Sequence, residues 1–178
     1  MSMTSYQIIQ RAYTSEIIIP QDQIPVYFNI YDPDQLVMVE SFIDAGVSIA
    51  ERYCNRAIVP TDIEMVRQVK SAKTVKVPFG AYEIKSVSVN GTAVTDFEWE
   101  RITNTITFQV PVSGKVRVTA ICGFKEGIPS ALKIGIIQFA AGVFMNRESM
   151  TNGFSASEIP FSFRVIFDQW NLPVSDIL

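Results

Sequence analysis

The segment from residue 32 to 55 repeats apolar positions at steps of three and four, which is typical of an amphipathic helix. Asp32 followed by Pro33 predicts its start, with Asp32 as the N-cap, Pro33 in the first turn and Gln35 in position for a capping box. The acidic residues of this segment fall on the opposite face, which we expect to be solvated. The predicted buried face consists of Leu36, Val39, Ile43, Val47, Ala50 and Tyr53, and the acidic residues are Asp34, Glu40, Asp44 and Glu51.

After Pro60 the pattern changes to alternation of apolar and polar residues, as in half-buried strands. Asn90-Gly91 is a strong hairpin signal, because both residues tolerate the positive φ of a type I′ turn. Pro111 to Gly114 predicts another turn. Residues 64 to 122 therefore predict an antiparallel β meander or sandwich lobe inserted between helical segments. The alternating apolar positions are Ile84, Val87, Val89, Phe97, Trp99, Ile106, Phe108, Val110, Val116, Val118 and Ala120.

A second long helix is predicted from Pro129 to about Arg147. Its middle, residues 134 to 145, is apolar on nearly every side, so we expect it to be central or wedged against a neighbouring subunit. Each glycine inside a helix costs about 1 kcal/mol relative to alanine. Close packing, within the subunit or between subunits, is therefore expected on the face of Ala131, Gly135 and Gly142; the alternative is that these small residues have no packing role.

A short helix opening at Pro160 is predicted to pack through one aromatic-rich stripe. The stripe consists of Phe163, Ile166, Phe167 and Trp170. Its spacing favours a core position over a ligand site.

We predict an α+β protein of one domain over 1–178, in which the N-terminal and C-terminal helices pack together as a bundle. The helical core covers 21–60 and 124–170, and the β lobe covers 61–123. Two apolar ends outside this core, an N-terminal arm (1–20) and a C-terminal tail (171–178), are expected to dock on partners and to become ordered on assembly. Their docking residues are Ile17, Ile18, Ile19, Leu172, Val174, Ile177 and Leu178.

The composition argues against catalysis and against tight DNA binding. The chain has no histidine, two cysteines and a net charge of −3, and it carries neither a phosphate loop nor a nucleophile motif. We therefore predict no catalytic, cofactor-binding or metal-binding residue. Lys70, Lys73, Lys76 and Lys85 read as ordinary surface lysines, with a nucleic-acid contact as the alternative.

No signal peptide is indicated at the N-terminus, and we expect a cytosolic protein. The longest apolar stretch, Ile134 to Met145, falls short of the roughly 20 residues of a membrane span. No membrane partner is therefore predicted.

Two blocks resemble a known family in their order and spacing. The first is YFNIYDPDQLVMVESFIDAGVSIAERYCNRAIV, ending with Tyr53, Asn55 and Arg56, and the second is GIPSALKIGIIQFAAGVFMNRE, followed by IPFSFRVIFDQW. With the β-rich region between them, residues 21 to 170 resemble the head-to-tail connector, or adaptor, proteins of tailed bacteriophages.

This resemblance implies a structural protein that forms a ring, a dodecamer, beneath the portal protein. Such a ring extends the DNA channel and attaches the tail or a stopper or neck protein, while genomic DNA passes without sequence-specific binding. It belongs to the neck of the virion and assembles in the bacterial cytoplasm. The alternative is a monomeric binding module or an assembly chaperone encoded by a phage.

Overall fold

A computed structural model describes residues 4–11, 15–30, 32–151 and 162–172, with side chains left undescribed at 4, 146–151 and 162. The chain groups into two compact units. The β unit comprises 1–12, 55–126 and 172–178, and the helical unit comprises 13–54 and 127–171. The predicted α+β class is confirmed. The lobe predicted over 61–123 lies inside residues 55–126 of the β unit.

The described part of the β unit forms one curled antiparallel sheet. Its order is β1-β2-β6-β3-β4, and β5 pairs with the first residues of β6. Because β6 lies between β2 and β3, the strands do not follow a meander, and the predicted second layer of a sandwich is replaced by curling of the one sheet. The strands are β1 (Thr4–Arg11), β2 (Thr61–Lys76), β3 (Ala81–Val89), β4 (Thr92–Ala93), β5 (Phe97–Glu100) and β6 (Thr105–Cys122).

Alternate residues of these strands form the core of the β unit, as the period of two requires. The first half of β2 shows this alternation, with Ile63 and Met65 buried and Asp62 and Glu64 less so. The core of the unit consists of Ala57, Ile63, Met65, Val75, Val77, Ala81, Val87, Ile106, Phe108, Val116, Val118, Ala120 and Cys122.

The turn predicted at Pro111 to Gly114 is wrong, because β6 continues through it. Val112 pairs with Ala72 and Thr107 pairs with Thr74. Between these two pairs the chain advances five residues along β6 and only two along β2, so β6 holds extra residues here. A bulge can hold the extra residues, and proline is tolerated in a bulge because the residue there need not donate a hydrogen bond to the neighbouring strand. The polar, proline-containing stretch therefore bends a strand instead of ending it.

The hairpin predicted at Asn90-Gly91 is confirmed, with φ of 52° at Asn90 and 86° at Gly91. The Asn90 side chain also reaches β6. Its Oδ1 accepts a hydrogen bond from the Lys115 N–H at 2.8 Å, and its Nδ2 donates to the Ser113 carbonyl at 3.1 Å. Asn90 thus fixes both the turn and its position against the next strand.

The helical unit contains α1 (Ile24–Phe28), α2 (Pro33–Cys54), α3 (Ser130–Thr151) and α4 (Ser162–Asp168), with 3₁₀ turns at Ser15–Ile17 and Gln21–Gln23. The Asp32 cap is confirmed, since its Oδ1 accepts the Asp34 N–H at 3.0 Å. The predicted stripe of α2 is confirmed at Val39, Ile43, Val47 and Ala50, whereas Leu36 and Tyr53 at its ends are half-buried. Its buried residues are Val39, Ile43, Gly46, Val47, Ala50 and Cys54.

Within the single chain, α3 has two distinct faces. Leu132, Ile136 and Ala140 are fully buried, whereas Ile134 is 51% and Met145 73% exposed. The exposed face is itself apolar, so hydropathy alone left open whether the helix is central or wedged against a neighbouring subunit.

The stripe predicted on α4 is confirmed as core at two of its four residues, and the other two, Ile166 and Trp170, are half-buried. Phe163 and Phe167 are buried, and Phe163 meets Phe139 of α3 edge to face at 5.6 Å between ring centroids.

The N-terminal arm predicted over 1–20 is corrected over its described residues. Thr4–Arg11 forms β1, an edge strand paired with β2. Ile18 and Ile19 are 3% and 2% exposed, since the 3₁₀ turn at Ser15–Ile17 turns them into the helical unit. Ile17 is half-buried. An apolar run that finds a core in its own chain is not available for docking elsewhere.

Candidate interaction surfaces

Gly135, one of three small residues predicted to pack against a neighbour, packs within its own chain. A Cβ at Gly135 would lie 2.9 Å from Phe167 Cε1 and 3.4 Å from Ile166 Cγ2. The missing side chain therefore lets α4 approach α3. Of the two alternatives predicted for Gly135, packing within the subunit or between subunits, this contact is the first.

Ala131 and Gly142, the other two, lie along the exposed stripe of α3. Ala131 is exposed and Gly142 half-buried. Ile134 and Met145 lie on the same stripe by helical spacing, at i+3 and i+14 from Ala131. We name this stripe, Ala131, Ile134, Gly142 and Met145, the α3 outer face.

Gly46 of α2 is a packing residue that the sequence analysis missed. A Cβ there would lie 3.1 Å from Ile136 Cγ2 and 3.2 Å from Phe139 Cδ1 of α3. Its position within the stripe, three residues after Ile43 and four before Ala50, was the available signal. Gly46 and Gly135 together allow α3 to pack closely on both α2 and α4.

The charges of the chain divide unequally between the two units. The helical unit carries four Lys or Arg against ten Asp or Glu, a net charge of −6. The β unit carries eleven against eight, a net charge of +3. The overall value of −3 hides this asymmetry.

Two ion pairs lie on the outer side of the sheet. Lys85 pairs with Asp62, and Arg117 Nη1 lies 2.8 Å from Glu64 Oε2. The other oxygen of this carboxylate, Glu64 Oε1, accepts a hydrogen bond from Gln7 Nε2 of β1. Of the four lysines singled out in the sequence, Lys85 is thus a partner in an ion pair. Lys70, Lys73 and Lys76 are exposed on β2, as predicted for surface lysines.

No cluster of three or more His, Cys, Asp or Glu occurs among the described residues. Burial, together with the nearby Asp62 carboxylate, raises the pKa of the Cys122 thiol to about 12, so it stays protonated at neutral pH. Cys54 is fully buried. Among the helices that the structure describes, none is long and apolar enough to cross a membrane.

A cavity of about 540 Å³ opens on the β unit beside Phe79, Gly80 and Ile102. Leu172 lines it, and Leu172 Cδ1 would lie 3.1 Å from a Cβ at Gly80. Leu172, the first of the docking residues predicted in the C-terminal tail, is therefore packed in its own chain. Val174, Ile177 and Leu178 lie outside the described residues.

The fold occurs in solved structures of gene transfer agent particles. The chain is similar to a chain in the neck of an empty gene transfer agent (GTA) particle determined with C6 symmetry. The TM-score is 0.72 at 12% identity, over 97% of this chain and 98% of that one. The protein has the fold of a GTA neck component.

Two further gene transfer agent structures show the same fold. A chain of the native GTA virion matches with a TM-score of 0.71 at 12% identity, covering 96% of this chain and 97% of that one. A chain from the native GTA neck, determined with C12 symmetry, matches at 0.65 and 14% identity over 96% and 98%. No protein-family model matches the sequence, and no curated protein does. The likeness to GTA neck chains is thus one of fold, over nearly the whole length of each.

Proposed function

We propose that the protein is a head-to-tail connector, or adaptor, of a tailed phage or phage-like particle. The observation that carries this proposal is the match of almost the entire chain, 97% at a TM-score of 0.72, to a chain of a particle neck. A match confined to one unit would point to a shared module. A match across both units supports a shared role.

In this proposal the protein forms a ring of its own beneath the portal protein and receives the tail or a stopper or neck protein on its other side. The C6 and C12 symmetries of the similar necks are compatible with a ring of twelve copies. The ring sits in the neck of the virion and assembles in the bacterial cytoplasm.

Genomic DNA passes through the proposed ring without sequence-specific contacts. The net charge of −6 on the helical unit disfavours a tight grip on phosphates wherever that unit faces the channel. DNA must slide through the channel, and repulsion between its phosphates and acidic side chains favours sliding over tight binding.

The α3 outer face supplies apolar surface for contacts between proteins. Ile134 and Met145 are exposed large apolar side chains, and Ala131 and Gly142 beside them allow a neighbouring backbone to come close. We therefore keep Ala131 and Gly142 as candidates for packing between subunits.

The proposal also holds that the protein acts without catalysis. Its two thiols are buried, and one has a strongly raised pKa. Assays for ATPase and for divalent-metal-dependent nuclease activity should show no turnover above that of a variant in which Asp32 and Asp44 are both alanine.

The decisive experiment measures the assembly state with and without portal protein. The purified protein, portal rings and their mixture are each examined by light scattering after size-exclusion chromatography, and by electron microscopy. We expect the mixture to contain portal rings carrying an added ring of this protein. A protein that remains monomeric and does not bind portal would support the alternative, a small binding module or assembly chaperone.

A further inference from the structure

Strand β1 is an edge that lacks most of the usual protection against pairing. Natural edge strands are commonly very short or carry lysine or proline. β1 is eight residues long, contains neither lysine nor proline, and has its one cation, Arg11, at its end. Its protection is limited to the irregularity between Ile8 and Gln10.

Three apolar side chains of β1 are exposed at this edge. Tyr6 is 50% exposed, and Ile8 and Ile9 are each 55% exposed. Among the described strands β1 pairs with β2 alone, so its other side offers free backbone donors and acceptors. A strand added here would cover both the backbone and these side chains.

The opposite edge of the same sheet is also open. β4 covers β3 only at Ser88 and Val89, which leaves Ala81–Ser86 with β6 as its one strand partner among the described residues. Glu83, Lys85 and Ser86 in this stretch are exposed. Among the strands that the structure describes, one chain therefore presents two free edges, one on β1 and one on β3.

The directions of the two edge strands suit each other. Each step from β1 through β2 and β6 to β3 is antiparallel, so β1 and β3 run in opposite directions. If a second copy is placed beside the first by rotation about an axis along the strands, its β1 lies antiparallel to the first copy's β3. The antiparallel alternation then continues from copy to copy.

The registers of the sheet also match across this junction. Ile8, Ile63, Ala120 and Ile84 lie at one level of the sheet and are all apolar. Gln7, Glu64, Thr119 and Ser86 lie at a neighbouring level and are all polar. Continuing the sheet at the same levels places Ile8 beside the next copy's Ile84, and Gln7 beside its Ser86.

We propose that β1 of one copy pairs with the free edge of β3 of the next copy, so that a sheet runs from subunit to subunit around the ring. The inference rests on the proposed ring and names the strands that join it. Opposite edges of one surface make a head-to-tail contact, which closes into a ring when the rotation allows. The contact uses the same edges in every copy and leaves both of them covered.

Cysteine cross-linking in the assembled ring tests this pairing. Directly opposed residues have Cβ atoms about 4.5–5.5 Å apart, close to what a disulfide spans. The native cysteines Cys54 and Cys122 are buried and should contribute little background. Oxidation of the Ile8→Cys, Ile84→Cys double variant should give a ladder of covalent multimers on a denaturing gel.

The controls separate this pairing from other contacts. A double variant with Ile8→Cys and Val110→Cys, at an exposed position of β6 away from both edges, should give no ladder. Dimers from the single Ile8→Cys variant would show twofold pairing of β1 with β1 and would overturn the proposal. Cross-links from Ile8→Cys to portal protein would instead assign this edge to that partner, and would overturn it too.

A charge placed on the edge gives an independent readout. Ile8→Lys should weaken ring assembly at least tenfold while the free subunit keeps its circular dichroism spectrum, since a charge on an edge strand opposes pairing. The matched control Val110→Lys should assemble like the parent.

The two proposals fail in different ways. If the parent protein forms no ring with portal, the proposed function is wrong. If parent rings form, but the double variant gives no ladder and Ile8→Lys rings are intact, the edge pairing alone is wrong.

Discussion

Gly135 of α3 lies so close to Phe167 of α4 that a Cβ at position 135 would come within 2.9 Å of the phenyl ring. Gly135→Ala should gain about 1 kcal/mol of helix propensity and lose about 1–3 kcal/mol to overpacking. We expect a net loss of stability of about 1 kcal/mol, measured by urea unfolding.

A second substitution tests whether the phenyl ring of Phe167 causes that loss of stability. Adding Phe167→Leu should remove part of the conflict, with a coupling of at least about 0.5 kcal/mol in a double-mutant cycle. A Gly135→Ala protein as stable as the parent, or more so, would show that α4 adjusts freely to the added methyl group.

The N-cap of α2 gives a second prediction. Asp32→Ala removes the acceptor for the Asp34 N–H and should cost about 1 kcal/mol of unfolding free energy. Asp32→Asn keeps a capping oxygen and should lie within a few tenths of a kcal/mol of the parent. Equal losses in the two variants would assign the effect to charge and not to the cap.

The sequence correctly predicted those helices and turns that are determined by residues close together in the chain. Asp32-Pro33, the stripe from Val39 to Ala50 and the Asn90-Gly91 turn depend on neighbouring residues, so each could be found in the sequence. Strand β1 could not be found in this way, because its extended form depends on β2, more than fifty residues away. Its alternation also breaks at Ile9, where the register shifts.

The order of the sheet and the faces of α3 were beyond the sequence for the same reason. Whether β6 lies between β2 and β3 is set by long-range pairing and not by any turn. The α3 pattern is apolar on both its buried and its exposed side, so hydropathy could not distinguish Ile136 from Ile134. The packing roles of Gly135 and Gly46 required the positions of α3 and α4.

The Cys122 thiol gives a pH prediction with a defined sign. Its pKa is raised from 9.0 to about 12, chiefly because burial removes water from the thiolate. The folded state holds the proton longer than the unfolded state does. The stability linked to this group is therefore complete below pH 9 and is lost as the pH rises from about 9 to about 12.

Thiol labelling measures this effect. In a Cys54→Ala background, iodoacetamide should label Cys122 in the folded protein far more slowly at pH 9 than in urea. Cys122→Ala should abolish the labelling and reduce the loss of stability between pH 9 and pH 11. Labelling of the folded protein as fast as that of a free thiol would contradict the raised pKa and reopen the question of a reactive cysteine.

The α3 outer face gives the last prediction. Ile134 is 51% exposed on α3, so Ile134→Lys should change the stability of the free subunit by less than about 0.5 kcal/mol, as is usual for surface positions. If the α3 outer face is buried in the assembly, the lysine ammonium group must lose its water there. The free energy of that desolvation is far larger than the effect of the same lysine on the free subunit, where it stays hydrated. We therefore expect normal folding and at least tenfold weaker association with copies or with portal. Val165→Lys, at a 64% exposed site on α4, is the matched control and should assemble like the parent. Gly142→Leu tests the small residue beside Met145 on the same face: overpacking at the contact should reduce assembly even though leucine favours the helix. Unimpaired assembly of both Ile134→Lys and Gly142→Leu would remove this face from the contacts of the ring.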